Sequence, residues 1–388
     1  MANLFDELQM GTVSRRRLFE LFSVAGASAA LASAQSRQSK PASSAADDQP
    51  KLSPANIGGG GRIERDFYRQ FLNNSKLPMV EGYSILDAAR QEMHPWPETG
   101  GRGVYLNFSG NVHMDAVVQE IPAGKALTPA KHFYEQITYV LAGRGYTTFA
   151  GGRKNNKIEW GEGSLFAVPV NVEHRHFNSD SAHPARLLYI TSFPFMLQVF
   201  GSMGLINDLN FNFNERYDGA PDFFRATTRV RKRWDKTNFV KDIRKSEVVD
   251  WPERGEGNAS MYWDMAGNTI LEPHMSEFEI GSYKLGHRHP YEAIIVTLNG
   301  KGFSLAEKDH LKDSEAIKID WQAGSIVSPP FFWYHQHFNT GDTKARYLAI
   351  TEGDFPIRLG FPLKVEQIEA NEEDPDIKKH FERELHHG

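Results

Sequence analysis

The sequence predicts an all-β chain that folds as two tandem jelly-roll barrels with short flanking helices. The first observation is an internal repeat: residues 96–111 resemble residues 251–268, and each stretch leads into a strand-like run with a histidine motif. His132 and His289 lie 157 residues apart, and the offset grows only to 161 residues at the next pair of histidines. A nearly constant offset is typical of a duplicated domain.

The second observation is the recurrence of short strand-like segments in both halves. They are rich in β-branched and aromatic residues and are bounded by Gly, Pro, Asn and Asp. The clearest are residues 138–149, 164–170, 185–192, 293–305 and 346–351. This spacing favours antiparallel jelly rolls, in which two sheets fold together and protect their edges.

Length, charge and cysteine content narrow the class of protein. A chain of 388 residues suggests two domains. The formal net charge of -5 gives no reason to expect a nucleic-acid partner. Because the chain has no cysteine, disulfides, thiol catalysis and cysteine-bound metals are excluded.

The N-terminus predicts export. Arg15, Arg16 and Arg17 precede an apolar, alanine-rich run at residues 21–34 that ends in the small residues Ala-Ser-Ala. This pattern resembles a bacterial twin-arginine signal peptide, so we predict that residues 1–34 are removed and that the protein is periplasmic. The run is too short and too rich in alanine for stable membrane insertion, which needs about 20 strongly apolar residues.

Composition divides the remainder of the chain. We predict a flexible linker (35–61), an N-terminal barrel (62–204), an inter-barrel connection (205–249), a C-terminal barrel (250–366) and a charged tail (367–388). The linker has too few apolar residues to pack. Apolar periodicity at residues 62–72 and near residues 85–92 favours short helices beside the first barrel.

The histidines of the second half predict a metal site. His287 and His289 are two residues apart, so on a strand both imidazoles leave the same face, and His335 arrives from another strand. Neutral imidazole is the commonest metal-binding side chain and suits Zn, Fe, Ni and Cu. We therefore predict that these three histidines bind a divalent metal.

The surrounding residues resemble the two sequence motifs of the cupin superfamily. The first motif is carried by His287, His289 and Gly300, and the second by Gly324, Pro330, His335 and Asn339. The pattern departs from the usual one at Ala293, where the family carries a glutamate, and at Phe332, where it often has glycine. The resemblance implies two cupin barrels in tandem, which is called a bicupin.

Glu292 lies one residue before the usual carboxylate position. On a regular strand it would point outward, and the site would contain histidines alone. A β-bulge after His289 would turn Glu292 inward as a fourth ligand. The sequence leaves both arrangements open.

The first half matches the second motif but has lost a ligand of the first. Ala130 stands at the position of His287, whereas His132 and His174 remain and Glu135 follows. We predict a second, weaker site formed by His132, Glu135 and His174. The second half is expected to hold the working metal.

Two further side chains are candidate catalytic residues. His337 would share a strand face with His335, where an imidazole can orient a ligand or transfer a proton. Tyr291 would point inward with His287 and His289 on a regular strand.

A metal with three ligands on one side has adjacent positions for a bidentate substrate and O₂, as in non-haem Fe(II) oxygenases. The His-x-His run and Ala293 resemble gentisate dioxygenases, which implies an Fe(II)-dependent dioxygenase for a small aromatic or other bidentate oxygenated substrate. Two alternatives stay open: a Mn-dependent enzyme of the oxalate decarboxylase type, and a non-catalytic bicupin that binds a small ligand. Bicupins commonly pair through sheet edges, so the resemblance also implies a homo-oligomer of unspecified size.

Overall fold

The structure is a computed structural model that describes residues 66–151, 156–362 and 364–387. The predicted signal peptide (1–34) and linker (35–61) lie outside these residues. In chain order the helices are α1 (Phe67–Asn74), α2 (Phe193–Phe200), α3 (Met203–Asp208), α4 (Phe355–Arg358) and α5 (Pro375–His387). None of the helices in the described part of the chain is long and apolar enough to cross a membrane.

Strands dominate the structure, as the sequence predicts. The first half contains β1 (Met79–Gly82), β2 (Ser84–Ile85), β3 (His94–Trp96), β4 (Gly101–Phe108), β5 (Asp115–Ile121), β6 (Gln136–Ala142), β7 (Arg144–Phe149), β8 (Asn156–Gly161), β9 (Leu165–Val168), β10 (His174–Asn178) and β11 (Ala185–Thr191). The connection contains β12 (Thr227–Arg231), β13 (Trp234–Thr237), β14 (Phe239–Val240) and β15 (Val249–Asp250). The second half contains β16 (Asn258–Asp264), β17 (Glu272–Phe278), β18 (His287–Arg288), β19 (Ala293–Asn299), β20 (Lys301–Glu307), β21 (Ile317–Gln322), β22 (Ile326–Val327), β23 (Tyr334–Asn339), β24 (Ala345–Thr351) and β25 (Glu366–Gln367).

Each half forms a barrel from one large and one small sheet. In barrel one the large sheet has the order β1-β4-β5-β11-β6-β9-β14, and the small sheet has the order β10-β7-β8. In barrel two the large sheet has the order β12-β13-β16-β17-β24-β19-β22-β2, and the small sheet has the order β21-β20-β23-β18-β25. The repeat seen in the sequence is therefore a repeat of strand order, and the predicted tandem jelly rolls are confirmed.

Each large sheet includes a strand from another part of the chain. Strand β2, which follows β1 of barrel one in the sequence, pairs with β22 of barrel two through Ser84–Val327 and Ile85–Ile326. Strand β14 of the connection pairs in turn with β9 of barrel one. Each large sheet is thus completed by a strand from outside its own half of the chain.

The barrels share a core that lies between their large sheets. This core contains Ile137 and Ile190 from barrel one and Ile294 and Ile350 from barrel two, all at most 1% exposed. Separate cores fill the inside of each barrel. Burying aliphatic side chains of this size stabilises a fold by about 1.5–3 kcal/mol each, so the shared core joins the two barrels firmly.

Two predicted strands are each divided by a glycine. Gly143 separates β6 from β7, and Gly300 separates β19 from β20, with φ values of +88° and +85°. A Cβ at Gly300 would lie 2.7 Å from the Ala345 Cα atom, so a side chain cannot be placed there without a shift of the backbone. These motif glycines therefore form the tight bends at which the chain passes from the large sheet of each barrel to the small one.

The predicted helical segments differ from the observed ones. The helix expected from residue 62 is seen as α1, with Asp66 as its N-terminal cap, and residues 62–65 lie outside the described part. The segment near residues 85–92 forms only a 3₁₀ turn, Ala88–Arg90, because Ser84 and Ile85 join a sheet. The charged tail forms α5, which packs on the small sheet of barrel two through Ile377 and Phe381.

Candidate metal centre

Strands β18 and β23 bring together the three histidines of the second half. His287 and His335 are direct register partners, and His289 follows just beyond the end of β18. The ring centroids of His287 and His335 lie 4.4 Å apart, and those of His289 and His335 lie 4.8 Å apart. All three side chains are buried, and one ligand atom of each lies within 4.8 Å of the other two.

Backbone carbonyls determine which nitrogen of each ring carries the hydrogen. The hydrogen-bonded pairs of Nδ1 and carbonyl oxygen are His287 with Leu285 (2.9 Å), His289 with Tyr291 (2.8 Å) and His335 with Trp333 (3.0 Å). A carbonyl oxygen only accepts, so each Nδ1 must donate and each Nε2 keeps its lone pair. This is the tautomer in which histidine binds a metal through Nε2.

Burial keeps these three imidazoles neutral. It lowers the pKa of His335 to about 3 and holds the pKa of His287 and His289 well below the usual value. The positive charges of Lys284 and Arg254 lower all three pKa values further. The lone pairs are therefore not blocked by protons at neutral pH.

The expectation that Glu292 is a fourth ligand is corrected by the structure. The Glu292 carboxylate accepts hydrogen bonds from the backbone N–H groups of residues 112–114, at 2.8, 3.1 and 2.8 Å. Strand β18 ends at Arg288 and β19 begins at Ala293, so the intervening residues follow neither a regular strand nor a simple bulge. Glu292 points to barrel one, and the three histidines stand without a carboxylate.

Glu292 also belongs to a second cluster of metal-binding residue types. His113, Glu292 and Glu352 place one ligand atom each within 4.8 Å of the others. The Glu352 carboxylate accepts from the Glu292 backbone N–H at 2.9 Å and contacts His113 Nδ1 at 3.1 Å. Since both oxygens of Glu292 are already occupied by backbone donors, this cluster serves the contact between the barrels.

The proposed second site does not assemble as predicted. His132 and His174 face each other with ring centroids 5.2 Å apart, and each Nδ1 donates to a backbone carbonyl at 3.1 Å. Ala130 pairs with His174 as His287 pairs with His335, so a methyl group occupies the place of the third imidazole. Barrel one thus keeps two of the three histidines.

The Glu135 carboxylate points away from His132 and His174. The expectation that it binds a metal together with them is therefore corrected. This carboxylate accepts from the backbone N–H groups of residues 269–271, at 2.7, 2.9 and 2.8 Å, and from the Arg216 guanidinium at 2.8 Å. The physical reason is the same as for Glu292: three converging peptide donors bind a carboxylate more strongly than an approach to two neutral rings. Among the residues that the structure describes, barrel one holds no three-ligand cluster.

The two candidate catalytic residues lie next to the histidines. The Tyr291 ring stacks on His289 with a centroid distance of 4.0 Å. His337 is buried beside His335, with ring centroids 5.5 Å apart, and its Nδ1 contacts the Ser304 hydroxyl at 2.7 Å. His337 is not part of the three-histidine cluster, and its role stays a prediction.

Sequence reasoning missed a buried cation beside the cluster. The Lys284 ammonium donates to the Tyr347 hydroxyl at 2.9 Å, and the Lys284 side chain is only 5% exposed. Burial lowers the pKa of Lys284 well below its ordinary value. The repeat contains the signal that would have found it, because the 157-residue offset aligns Lys284 with the apolar Leu127.

Two cavities open at corresponding positions of the barrels. A cavity of about 840 Å³ penetrates barrel one and reaches His132 and His174. A cavity of about 510 Å³ lies at barrel two beside Tyr291 and Glu272. None of the three clustered histidines lines either cavity, since Tyr291 stands between the second cavity and His289.

Part of barrel one is similar in sequence to a known protein family. Residues 117–191 match the family described as Cupin domain, and no curated protein matches the chain. A variant of oxalate decarboxylase from Bacillus subtilis is 15% identical, with 83% of this chain and 90% of that chain covered and a TM-score of 0.48. A second oxalate decarboxylase structure is 16% identical, with 82% and 88% covered and the same TM-score. The family match lies in barrel one, and barrel two repeats the strand order of barrel one.

Proposed function

We propose that barrel two binds a divalent transition metal through His287, His289 and His335 and acts on a small oxygenated substrate. The observation that carries this proposal is the set of three buried, neutral imidazoles whose Nδ1 atoms are all held by carbonyls. This tautomer leaves a lone pair on each Nε2, and one ligand atom of each ring lies within 4.8 Å of the other two, so a borderline metal ion fits that donor set.

The charge around the centre favours a substrate with a carboxylate. Lys284 and Arg254 both contribute positive charge at the three histidines. With a bound divalent ion, this region would carry no compensating carboxylate, because Glu292 is engaged with barrel one. An anionic oxygen ligand therefore has favourable electrostatics here.

The first candidate reaction is that of an Fe(II)-dependent dioxygenase. Three protein ligands on one side leave adjacent positions open, so that the ion, when bound, orients the substrate and O₂ together. Tyr291 limits access to His289 from the cavity at barrel two. His337, whose Nδ1 is held by Ser304, is placed to orient a group of the substrate.

The second candidate is Mn-dependent decarboxylation of oxalate. The positive charge of Arg254, together with the hydrogen-bond donor of Lys284, suits a small dianion as well as an aromatic acid. The oxalate decarboxylase structures that resemble the chain bear the name of this activity. A bicupin that only binds a small ligand is the remaining alternative.

Metal analysis of two matched variants tests the metal site. We expect the unchanged protein to contain about one equivalent of metal per chain. The metal content should fall by about tenfold or more in His289→Ala and should be retained in His132→Ala, because only barrel two has three imidazoles. The measurement is elemental analysis of the purified full chain. The opposite ranking of the two variants would refute the assignment to barrel two.

Activity assays then separate the two reactions. Iron in the protein with O₂ uptake on a hydroxybenzoate supports the dioxygenase. Manganese with CO₂ and formate from oxalate, without net O₂ uptake, supports the decarboxylase. Absence of bound metal after gentle purification would contradict both and favour the ligand-binding alternative.

A further inference from the structure

The cavity of barrel one contains a continuous row of polar rings, which we call the polar wall. It consists of His132, His174, His176 and Tyr189. Successive ring centroids along the wall lie 5.2, 5.2 and 5.6 Å apart. The three histidines are each only 4% exposed, although the cavity measures about 840 Å³.

Several polar atoms of the wall have no hydrogen-bond partner in the protein. They are the Nε2 atoms of His132 and His176 and the hydroxyl of Tyr189. A buried polar atom without a partner destabilises the folded protein, because it has lost its hydrogen bonds to water. Three such atoms on one wall of an open cavity indicate a surface that is completed by a bound molecule.

The wall offers both acceptors and donors. His132 and His174 donate from Nδ1 to carbonyls, so their Nε2 atoms accept. The Thr147 hydroxyl accepts from Trp160 Nε1 at 2.9 Å and lies 2.7 Å from His176 Nδ1, so it holds the His176 ring in place. The Tyr189 hydroxyl carries a hydrogen and is a donor.

The presence of both acceptors and donors on the polar wall determines which functional group of a ligand can bind there. A hydroxyl group donates and accepts at once, so hydroxyls can satisfy both kinds of atom, whereas a carboxylate or carbonyl cannot satisfy the His132 lone pair. The buried Asp115 carboxylate, which already accepts from Thr191 and Tyr68 at 2.5 and 3.1 Å, disfavours an anion.

The other sides of the cavity accept a ring. Trp96, Tyr105 and Phe193 are part of its lining. Aromatic side chains contribute a large apolar surface against which a flat or cyclic molecule can stack. A ring with hydroxyl groups on one edge would meet the aromatic side with its face and the polar wall with its edge.

We propose that barrel one binds an uncharged ring compound with at least two hydroxyl groups, at a site separate from the metal centre of barrel two. The two barrels then have different functions. Barrel two retains three imidazoles around one point, whereas barrel one keeps an open cavity, because Ala130 is small and Glu135 points away from it. The shared ligand chemistry is a cyclic diol or polyol, from either an aromatic or an aliphatic ring.

Calorimetric titration of the full chain with catechol, inositol and benzoate tests this inference. We expect saturable binding of catechol or inositol, with the better of the two identifying the ring type, and much weaker binding of benzoate. In His132→Phe the affinity should fall by about tenfold, and in Tyr189→Phe by about threefold or more, because each removes a hydrogen-bonding atom of the wall.

Two controls place the binding. Tyr146→Phe removes a hydroxyl on barrel one outside the cavity lining and should leave the affinity within about twofold. His289→Ala should leave it unchanged, although it removes a proposed metal ligand. Binding of a hydroxylated probe that is lost in His289→Ala but kept in His132→Phe would overturn the inference, as would no binding of either hydroxylated probe. Tighter binding of benzoate than of either hydroxylated probe in His289→Ala, where the metal centre of barrel two is disrupted, would also overturn it. Loss of a metal equivalent in His132→Phe would also overturn it, because the two lone pairs would then hold a cation.

Discussion

At the scale of single residues, the two barrels differ as metal sites through one side chain, the methyl group of Ala130 in place of an imidazole. Ala130 and His287 occupy equivalent register positions, opposite His174 and His335. The remaining histidines of barrel one already have the tautomer with a free Nε2. The backbone of barrel one therefore positions two metal-binding imidazoles, and the third imidazole is the one that its sequence does not supply.

Ala130→His should create a second metal site. The new imidazole would extend from the position opposite His174 and complete a three-histidine set with His132. We expect the metal content to rise from about one to about two equivalents per chain, measured by elemental analysis. Ala130→Phe, which adds a ring without a ligand atom, is the matched control and should leave the content unchanged. An unchanged content in Ala130→His would show that the two barrels differ in more than this residue.

The positions of the histidines could be predicted from the sequence, but the direction of the carboxylates could not. The spacing of His287 and His289, together with the motif of His335, was enough to anticipate the cluster. Glu292 and Glu135 lie between strands, where period-two parity does not apply, and both extend to backbone donors far away in the chain. The spacing of neighbouring residues cannot predict a hydrogen bond between residues that lie so far apart in the sequence.

At the scale of elements, the barrels are joined by two reciprocal contacts. Glu292 of barrel two accepts from the turn at residues 112–114, and Glu135 of barrel one accepts from the turn at residues 269–271. Glu135 directly precedes β6 and Glu292 directly precedes β19, and each carboxylate satisfies three peptide donors of the other barrel. Hydrogen bonds to a charged acceptor are stronger than neutral ones, so the two contacts make a large contribution to the interface.

Glu292→Gln should destabilise the protein by about 2 kcal/mol, because an amide has one acceptor oxygen and its NH₂ group would face peptide donors. Glu135→Gln should have a similar effect. The measurement is the free energy of unfolding in urea. Glu159→Gln, at an exposed position of β8, is the control and should change this free energy by less than about 0.5 kcal/mol. Equal effects at all three positions would contradict a special role for the reciprocal contacts.

Strands could be predicted where the residue pattern of the segment itself indicates a strand. The runs at residues 138–149 and 293–305 contained the correct strands and the glycines that divide them. Strand β2, only two residues long, could not be found in this way, because it exists only through its pairing with β22. Phe332 adopts a positive φ of 59° at the position where the family often has glycine, which explains that preference.

At the scale of the whole molecule, the buried histidines make stability depend on pH. Burial lowers the pKa of His132 to about 3 and of His174 to about 4, whereas an unfolded histidine titrates near its ordinary value. Between these values the unfolded state binds more protons than the folded state, so the stability present above about pH 6.5 is lost as the pH falls. Asp115, whose pKa is raised to about 6 by burial, offsets part of this effect.

We expect the free energy of unfolding to fall between pH 6.5 and 4.5, by up to about 1.4 kcal/mol per pH unit for each such histidine. Urea denaturation at a series of pH values measures it. His174→Gln should reduce the slope by about one proton, whereas a change of the exposed His183 should not alter it. A stability that is independent of pH in this range would show that these histidines are protonated in the folded state.

The pairing of β2 with barrel two has a consequence for biosynthesis. Ile85 emerges from the ribosome long before its sheet partner Ile326 has been translated. At ordinary rates of elongation the delay is on the order of tens of seconds. During that time the edge reserved for β2 does not yet exist, so the nascent N-terminal half cannot reach its final arrangement until nearly the entire polypeptide has been made.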